Sequence, residues 1–203
     1  MIVTVSNQYG AGAIDAAQRA GQQLGYRVID RELPVVVAKR LSTSPDAVTA
    51  IEDTSRNLGE QLITGLELGT PEISLGSREQ PSFDRECLRE IQIAVREFAA
   101  QGNVIIIGRA AYAILGRRDD AIRVFMYAPR EWRVTRISDA LNVSVQAAAS
   151  EIDRIDRARR TYVREHYQLE WEDPRAYDLC IDTARCGPLG SAALIVTAVR
   201  SCA

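Results

Sequence analysis

The sequence predicts an α/β fold, a doubly wound domain on a five-stranded parallel sheet. Three observations lead there. Strand, tight glycine-containing turn, helix and second strand fill the first thirty or so residues, which is a βαβ unit. Val104-Ile105-Ile106-Ile107 is a continuous aliphatic run, as a parallel strand covered on both faces requires. Strand-like and helix-like segments then alternate to the end of the chain, with no repeat and no low-complexity tract.

Ile2-Val3-Thr4-Val5 reads as the first strand and is ended by the polar, glycine-rich stretch from Ser6 to Gly12. Ala13, Ala16, Ala17, Ala20 and Leu24 recur at helical spacing until Gly25 stops the helix. Tyr26–Ile29 is a second strand, ending at Asp30. Glu32–Leu68 is helical, broken near Ser42-Thr43-Ser44-Pro45, where a serine precedes a first-turn proline. Gly65–Pro81 is rich in Gly, Pro, Ser and Glu and reads as a mobile loop or insertion rather than a domain linker. Helical periodicity resumes from Phe83 to Ala100 through Leu88, Ile91, Val95 and Phe98. Val104–Ile107, Ile122–Tyr127 and Leu179–Ile181 complete the strands. Helices are expected at Ala110–Leu115, Arg130–Leu141, Val145–Tyr167 and Leu189–Val199.

The 203 residues, 46% of them hydrophobic, suffice for one domain with a buried core. A net charge of −2 gives no global basic field, so neither nucleic acid nor an anionic membrane surface is expected as a partner. Cys87, Cys180, Cys186 and Cys202 lack paired metal-ligand spacing, and with a single histidine they argue against structural zinc. The thiols suit a reducing, cytoplasmic setting, and no apolar stretch approaches the ~20 residues of a membrane span. The N-terminus reads directly as a strand, with nothing to suggest secretion. One bias stands out: the basic residues are 24 arginines and one lysine, Lys39.

In such sheets ligands bind outside the carboxyl ends of the strands, here at Gly10/Gly12, Asp30/Arg31, Gly108/Arg109, Ala128/Pro129 and Asp182/Thr183. Two glycines one residue apart, followed by a helix start, make an anion cradle or a plain tight turn. The dinucleotide fingerprint G-x-G-x-x-G is incomplete, because Asp15 stands at its third small position. Arg109 follows the best strand directly; its planar fork suits a phosphate or a helix-start salt bridge. Along Glu151–Arg164, Arg159 shares a helix face with Ile152, Ile155 and Tyr162. An inward arginine needs an anion, either Asp156 or a ligand phosphate. Asp153 with Arg157, and Asp156 with Arg160, are expected as weak i,i+4 pairs. His166 reads as solvated or capping, and nothing suggests a hydrolase triad.

Taken in order, VTVSNQYGAGAIDAAQRAGQQLGYRVIDREL, NVIIIGRAA, RVFMYAPREWRVTRI, EIDRIDRARRTYVREHY and YDLCIDT resemble the cytidylate kinase-like family, within the P-loop nucleoside monophosphate kinases. The match spans nearly the whole chain, with about Ser42–Ser82 weakly matched. The resemblance implies a single three-layer P-loop kinase domain over 1–203, with strand order 2-3-1-4-5. It further implies a monophosphate-binding insertion at about 42–82 and a helical lid at about 145–170. By the same resemblance Gly10, Ala11, Gly12, Ala13, Ile14 and Asp15 form the donor-phosphate loop, and Asp30, Arg31 and Arg109 bind the acceptor. Asp156, Arg157 and Arg159 of the lid are implied as catalytic, and Arg133 and Arg136 match arginines of the helix after the fourth strand. ATP with Mg²⁺, held through Asp15 or Asp30, and a CMP-like acceptor are the implied ligands.

The phosphate loop departs from that pattern. Ala13 stands where cytidylate kinases carry the lysine, and Asp15 where they carry the Mg²⁺-binding hydroxyl. Relatives lacking the lysine often have an arginine close by; this chain has Ile14 there. Three functions follow for the test: a nucleotide kinase moving the ATP γ-phosphoryl to CMP or dCMP, a catalytically impaired nucleotide-binding module on the same scaffold, and a dinucleotide-dependent reductase. The reductase gives the lid motif no role.

Overall fold

The computed structural model describes residues 1–53 and 80–202. Most of the expected insertion at about 42–82, and nearly all of the expected loop Gly65–Pro81, lie outside the described residues. Strand β1 (Ile2–Asn7) runs through the middle of a parallel sheet whose order is β2-β3-β1-β4-β5. Its companions are β2 (Arg27–Ile29), β3 (Val104–Ile107), β4 (Ala121–Tyr127) and β5 (Leu179–Asp182). Val3 sits opposite Ile105 on one side and Ile122 on the other, so every ladder adjoining β1 is parallel.

Around the sheet stand α1 (Ala13–Leu24), α2 (Glu32–Arg40), α3 (Pro45–Asp53), α4 (Gln80–Ala100), α5 (Ala111–Leu115), α6 (Arg130–Leu141), α7 (Val145–Tyr167) and α8 (Thr183–Cys202). The period-2 alternation of the strands sorts the core into two layers. Val3, Val5, Ile105, Ile107 and Val124 meet α1 and the α8 residues Ala192, Ile195 and Val199. Ile2, Val104 and Ile106 meet Leu33, Val37, Ile91 and Val95 from α2 and α4 on the other face. Helix α1 presents alanines to the sheet, Ala13, Ala16, Ala17 and Ala20, each buried. Their small side chains seat the glycine turn tightly at the end of β1.

The expected elements recur with shifted ends. The break in the first long helical stretch separates α2 from α3. Helix α4 starts at Gln80 rather than Phe83, because Pro81 falls in the first turn, where a missing N–H has no helical partner to lose. Helix α8 starts at Thr183 rather than Leu189: the Asp182 carboxylate accepts from Ala184 N at 3.0 Å and Arg185 N at 3.2 Å, nucleating an extra turn. Gly187 (φ 62, ψ 175) and Pro188 then break that helix before it resumes. Among the described residues, no helix is long and apolar enough to cross a membrane.

Candidate functional site

The carboxyl edge of the sheet opens into a cleft of about 380 Å³, walled by the exits of β1, β2 and β3 and by α6 and α7. Its floor is the turn between β1 and α1. Gly10 (φ +81) and Gly12 (φ +74) both take the left-handed conformation that side chains disfavour, and Gly12 caps α1. The two glycines do different work. A Cβ on Gly10 would come within 3.0 Å of Ile137 Cγ1 and 3.4 Å of the Arg133 backbone, so Gly10 lets the turn press against α6. A Cβ on Gly12 would instead meet the Arg136 guanidinium at 3.5 Å.

The turn is tied down from three directions. Tyr9 N donates to Asp156 Oδ1 at 2.8 Å, and Arg133 Nη1 donates to Tyr9 O at 3.0 Å. Arg133 and Asp156 pair with each other at 2.6 Å, with side chains only 6% and 4% exposed. Arg133 Nε adds a bond to Ala128 O at 3.1 Å. Gln8 donates to Glu172 at 2.8 Å and accepts from Ala128 N at 3.3 Å. Burial pushes the Glu172 carboxyl up, but the Arg160 guanidinium and the Gln8 amide outweigh it and leave that carboxyl below its ordinary range.

Three arginines reach the cleft from different elements, Arg136 of α6 beside Arg109 and Arg159. Arg159 donates to Asn7 O at 2.8 Å, while its Nε is buried with no hydrogen-bond partner among the described residues. Arg109 leaves β3 on three consecutive left-handed residues, Gly108 (φ 72), Arg109 (φ 57) and Ala110 (φ 48). For residues with a Cβ such a run costs about 1–2 kcal/mol each, and it swings Arg109 over the cleft, where Nη2 lies 3.4 Å from Thr49 Oγ1 of α3. Arginine keeps its charge at any accessible pH, so this wall is permanently cationic.

The residues expected from the sequence divide accordingly. Gly10, Gly12, Ala13, Ile14, Asp15, Asp30, Arg109 and Arg159 all line the cleft. Ala11 is buried beneath the turn. Arg31 is exposed at the start of α2 and Arg157 is exposed on α7, and neither belongs to the cleft wall. Asp156, expected as a catalytic group, is buried in its pair with Arg133 and acts on the turn, not on the cleft. Beyond the expected i,i+4 neighbours there are longer reaches: Asp153 pairs with Arg130 at 2.6 Å and Arg160 with Glu172 at 2.8 Å. Arg159 takes neither expected partner here: it donates to the backbone carbonyl of Asn7, while Asp156 pairs with Arg133. His166 is exposed in the last turn of α7, stacked edgewise on Tyr162. Asn7, Tyr9, Ile137 and Ala140 also line the cleft without having been expected there. Arg136, which the family resemblance matches to an arginine of this helix, lines the cleft as well, and its i,i+3 spacing from Arg133 sets both on one side of α6.

For a divalent cation the donor set is sparse. Among the described residues no group of three or more His, Cys, Asp or Glu is placed to hold a metal. Asp15 is engaged by Arg136 at 2.8 Å, so Asp30 is the better-placed carboxylate of the cleft. That fits a Mg²⁺ arriving on nucleotide phosphates, which needs only one or two protein carboxylates.

Residues 2–185 match the sequence model of the cytidylate kinase-like family. The chain belongs to that family. A cytidylate kinase from Natronomonas pharaonis is 27% identical over 202 residues, covering 99% of this chain and 90% of the relative. Among solved structures, an uncharacterized protein from Eubacterium ventriosum matches with a TM-score of 0.71 at 17% identity over 99% of both chains. Shikimate kinase from Acinetobacter baumannii, in complex with shikimate, matches with a TM-score of 0.55 at 11% identity, over 98% of this chain and 93% of that one. At such identities the structural likenesses speak for the fold alone, a P-loop kinase architecture with the sheet order seen here.

Proposed function

We propose that this cytidylate kinase-like chain transfers the γ-phosphoryl of ATP to a nucleoside monophosphate, CMP or dCMP. The observation that carries the reading is the convergence of Arg109 and Arg159, from separate elements, on a cleft floored by a left-handed glycine turn at a helix start. That combination is a cradle for at least two phosphate groups. The preference for cytidine rests on the relatives' names, such as the cytidylate kinase of Natronomonas pharaonis.

In this reading the backbone N–H groups of Gly10, Gly12 and Ala13 hold the donor phosphates, the Ala11 N–H being spent on Gln8 O at 3.1 Å, while Arg109, with Asp30 beside it, positions the acceptor phosphate. An acceptor phosphate oxygen attacks the γ-phosphorus in line as the bond to the β-bridging oxygen breaks, and ADP leaves. Arg159 neutralises charge on the transferring group; its unpartnered Nε and its single bond to a backbone carbonyl leave donor capacity for an anion. Asp30 would help hold a Mg²⁺ arriving on the nucleotide, which would supply charge neutralisation to the phosphates. Positioning does most of the remaining work.

The test is to incubate the protein with MgATP and, separately, CMP, dCMP, UMP and AMP, resolving products by ion-exchange chromatography. ADP and CDP or dCDP appearing together is the expected result. Folded protein that binds ATP but forms no diphosphate with any acceptor would point to the impaired nucleotide-binding module.

A further inference from the structure

The glycine turn brings no cation of its own. Its first helical residues are Ala13, Ile14 and Asp15, two apolar and one acidic, at the point where a triphosphate would deposit several negative charges. Backbone N–H groups and the α1 dipole offset only part of such a charge. Side chains from elsewhere must supply the rest.

Arg136 of α6 is placed to do so. Its Cζ and Nη2 lie 3.5 Å from where a Cβ of Gly12 would stand, so the guanidinium rests directly on the turn. Nη2 donates to Asp15 Oδ2 at 2.8 Å, and Cζ lies 5.7 Å from the Trp132 ring centroid. The Asp15 carboxylate thus occupies two positions that favour an anion: the first turn of α1 and the fork of Arg136. Both partners are well exposed, 39% and 49%, and a pair so open to solvent contributes little. It is weak enough to be exchanged for a phosphate, which carries more charge and accepts both arms of the fork.

We infer that Arg136 is the donor-phosphate cation of this chain and that Asp15 is its exchangeable counter-ion, displaced when a triphosphate enters. The charge missing from position 13 is then supplied across the cleft, from the helix after β4. The inference rests on the nucleotide-kinase reading of the same cleft and assigns a role that reading leaves open.

The experiment is calorimetric titration of the whole chain with ATP, and separately with CMP, at fixed Mg²⁺. It compares the parent with Arg136→Ala, Arg136→Lys, Asp15→Asn and the double variant Asp15→Asn/Arg136→Ala. Thermal melts run alongside establish that each variant is folded, as an exposed pair permits. Arg136→Ala is expected to weaken ATP about tenfold, the size of one charge-assisted contact, with CMP changed by less than about twofold. Arg136→Lys should recover part of the loss. Asp15→Asn should tighten ATP by about threefold or more, the scale of releasing one exposed ion pair, and that gain should vanish in the double variant. Unchanged ATP affinity in folded Arg136→Ala, or equal losses for ATP and CMP, overturns the inference while the kinase reading stands. A parent that binds no ATP overturns both.

Discussion

Removing the Asp156 carboxylate tests whether α7 governs the glycine turn from a distance. In the parent, Arg133 and Asp156 form a 2.6 Å pair with side chains 6% and 4% exposed, and the pair holds both Tyr9 N and Tyr9 O. Asp156→Ala leaves a buried guanidinium facing only backbone carbonyls and orphans the Tyr9 N–H. Breaking a buried pair from one side costs about 3–5 kcal/mol. For a domain of this length, about 2–4 °C per kcal/mol converts that to a fall in Tm of roughly 6–20 °C. The paired variant Arg133→Met/Asp156→Leu puts apolar volume where the ions were, and such swaps are often neutral. Its Tm should return toward the parent, yet ATP should still bind more weakly because the bonds to Tyr9 N and Tyr9 O are both lost. Differential scanning calorimetry and ATP titration on the three proteins give both readouts. A Tm loss under about 3 °C for Asp156→Ala, or full ATP affinity in the paired variant, would refute the reasoning.

Arg159→Ala should lower kcat by at least about tenfold, roughly 1.4 kcal/mol of transition-state stabilisation, whereas Arg164→Ala, exposed on α7, should change it less than about threefold; equal effects would count against a phosphoryl-contacting Arg159. Stability should decline under alkali. Burial pushes the Cys87 thiol up from 9.0 to about 11, despite Arg109 nearby, and raises the phenols of Tyr112 and Tyr177. Groups whose folded pKa is raised stabilise the fold fully below the unfolded value and lose that contribution as pH climbs through the folded one. For Cys87 the window is pH 9 to 11. The urea midpoint should therefore be steady to pH 8 and fall across that window, less steeply in Cys87→Ala; a flat profile contradicts it.

Much of the fold was legible because it depends on local pattern. The aliphatic run of β3, the alanine stripe of α1 and the glycine turn that leads into α1 speak through nearest neighbours, and the strand order follows once the family resemblance is seen. What escaped depends on distant partners. A helical wheel for 151–164 offers Asp156 only Arg159 and Arg160, about one turn along, yet its partner is Arg133 on α6, a separation of 23 residues. Asp153 likewise crosses to Arg130. The wheel places Arg159 on the face of Ile152, Ile155 and Tyr162, where it is found half-buried, since burial of a helix face is a periodic property. The left-handed turn through Arg109 and Ala110 leaves no compositional mark, because neither residue favours that conformation and tertiary packing alone enforces it. Gly10 could be read as a turn glycine, but not as the point where the turn touches Ile137.

Helix α7 grips the exit of β1 twice, one turn apart along its own length. Asp156 takes the N–H of Tyr9 and Arg159 gives to the carbonyl of Asn7, with Gln8 between. The helix that the family resemblance casts as a lid is therefore fastened to the loop it would cover. A rigid outward swing of α7 would strip both bonds, so helix and loop unlatch together or stay together. In amide-exchange terms the Tyr9 N–H and the middle turns of α7 should then open as one unit. Under the proposed function, closure on this side of the cleft would fall to guanidinium arms rather than to a hinge.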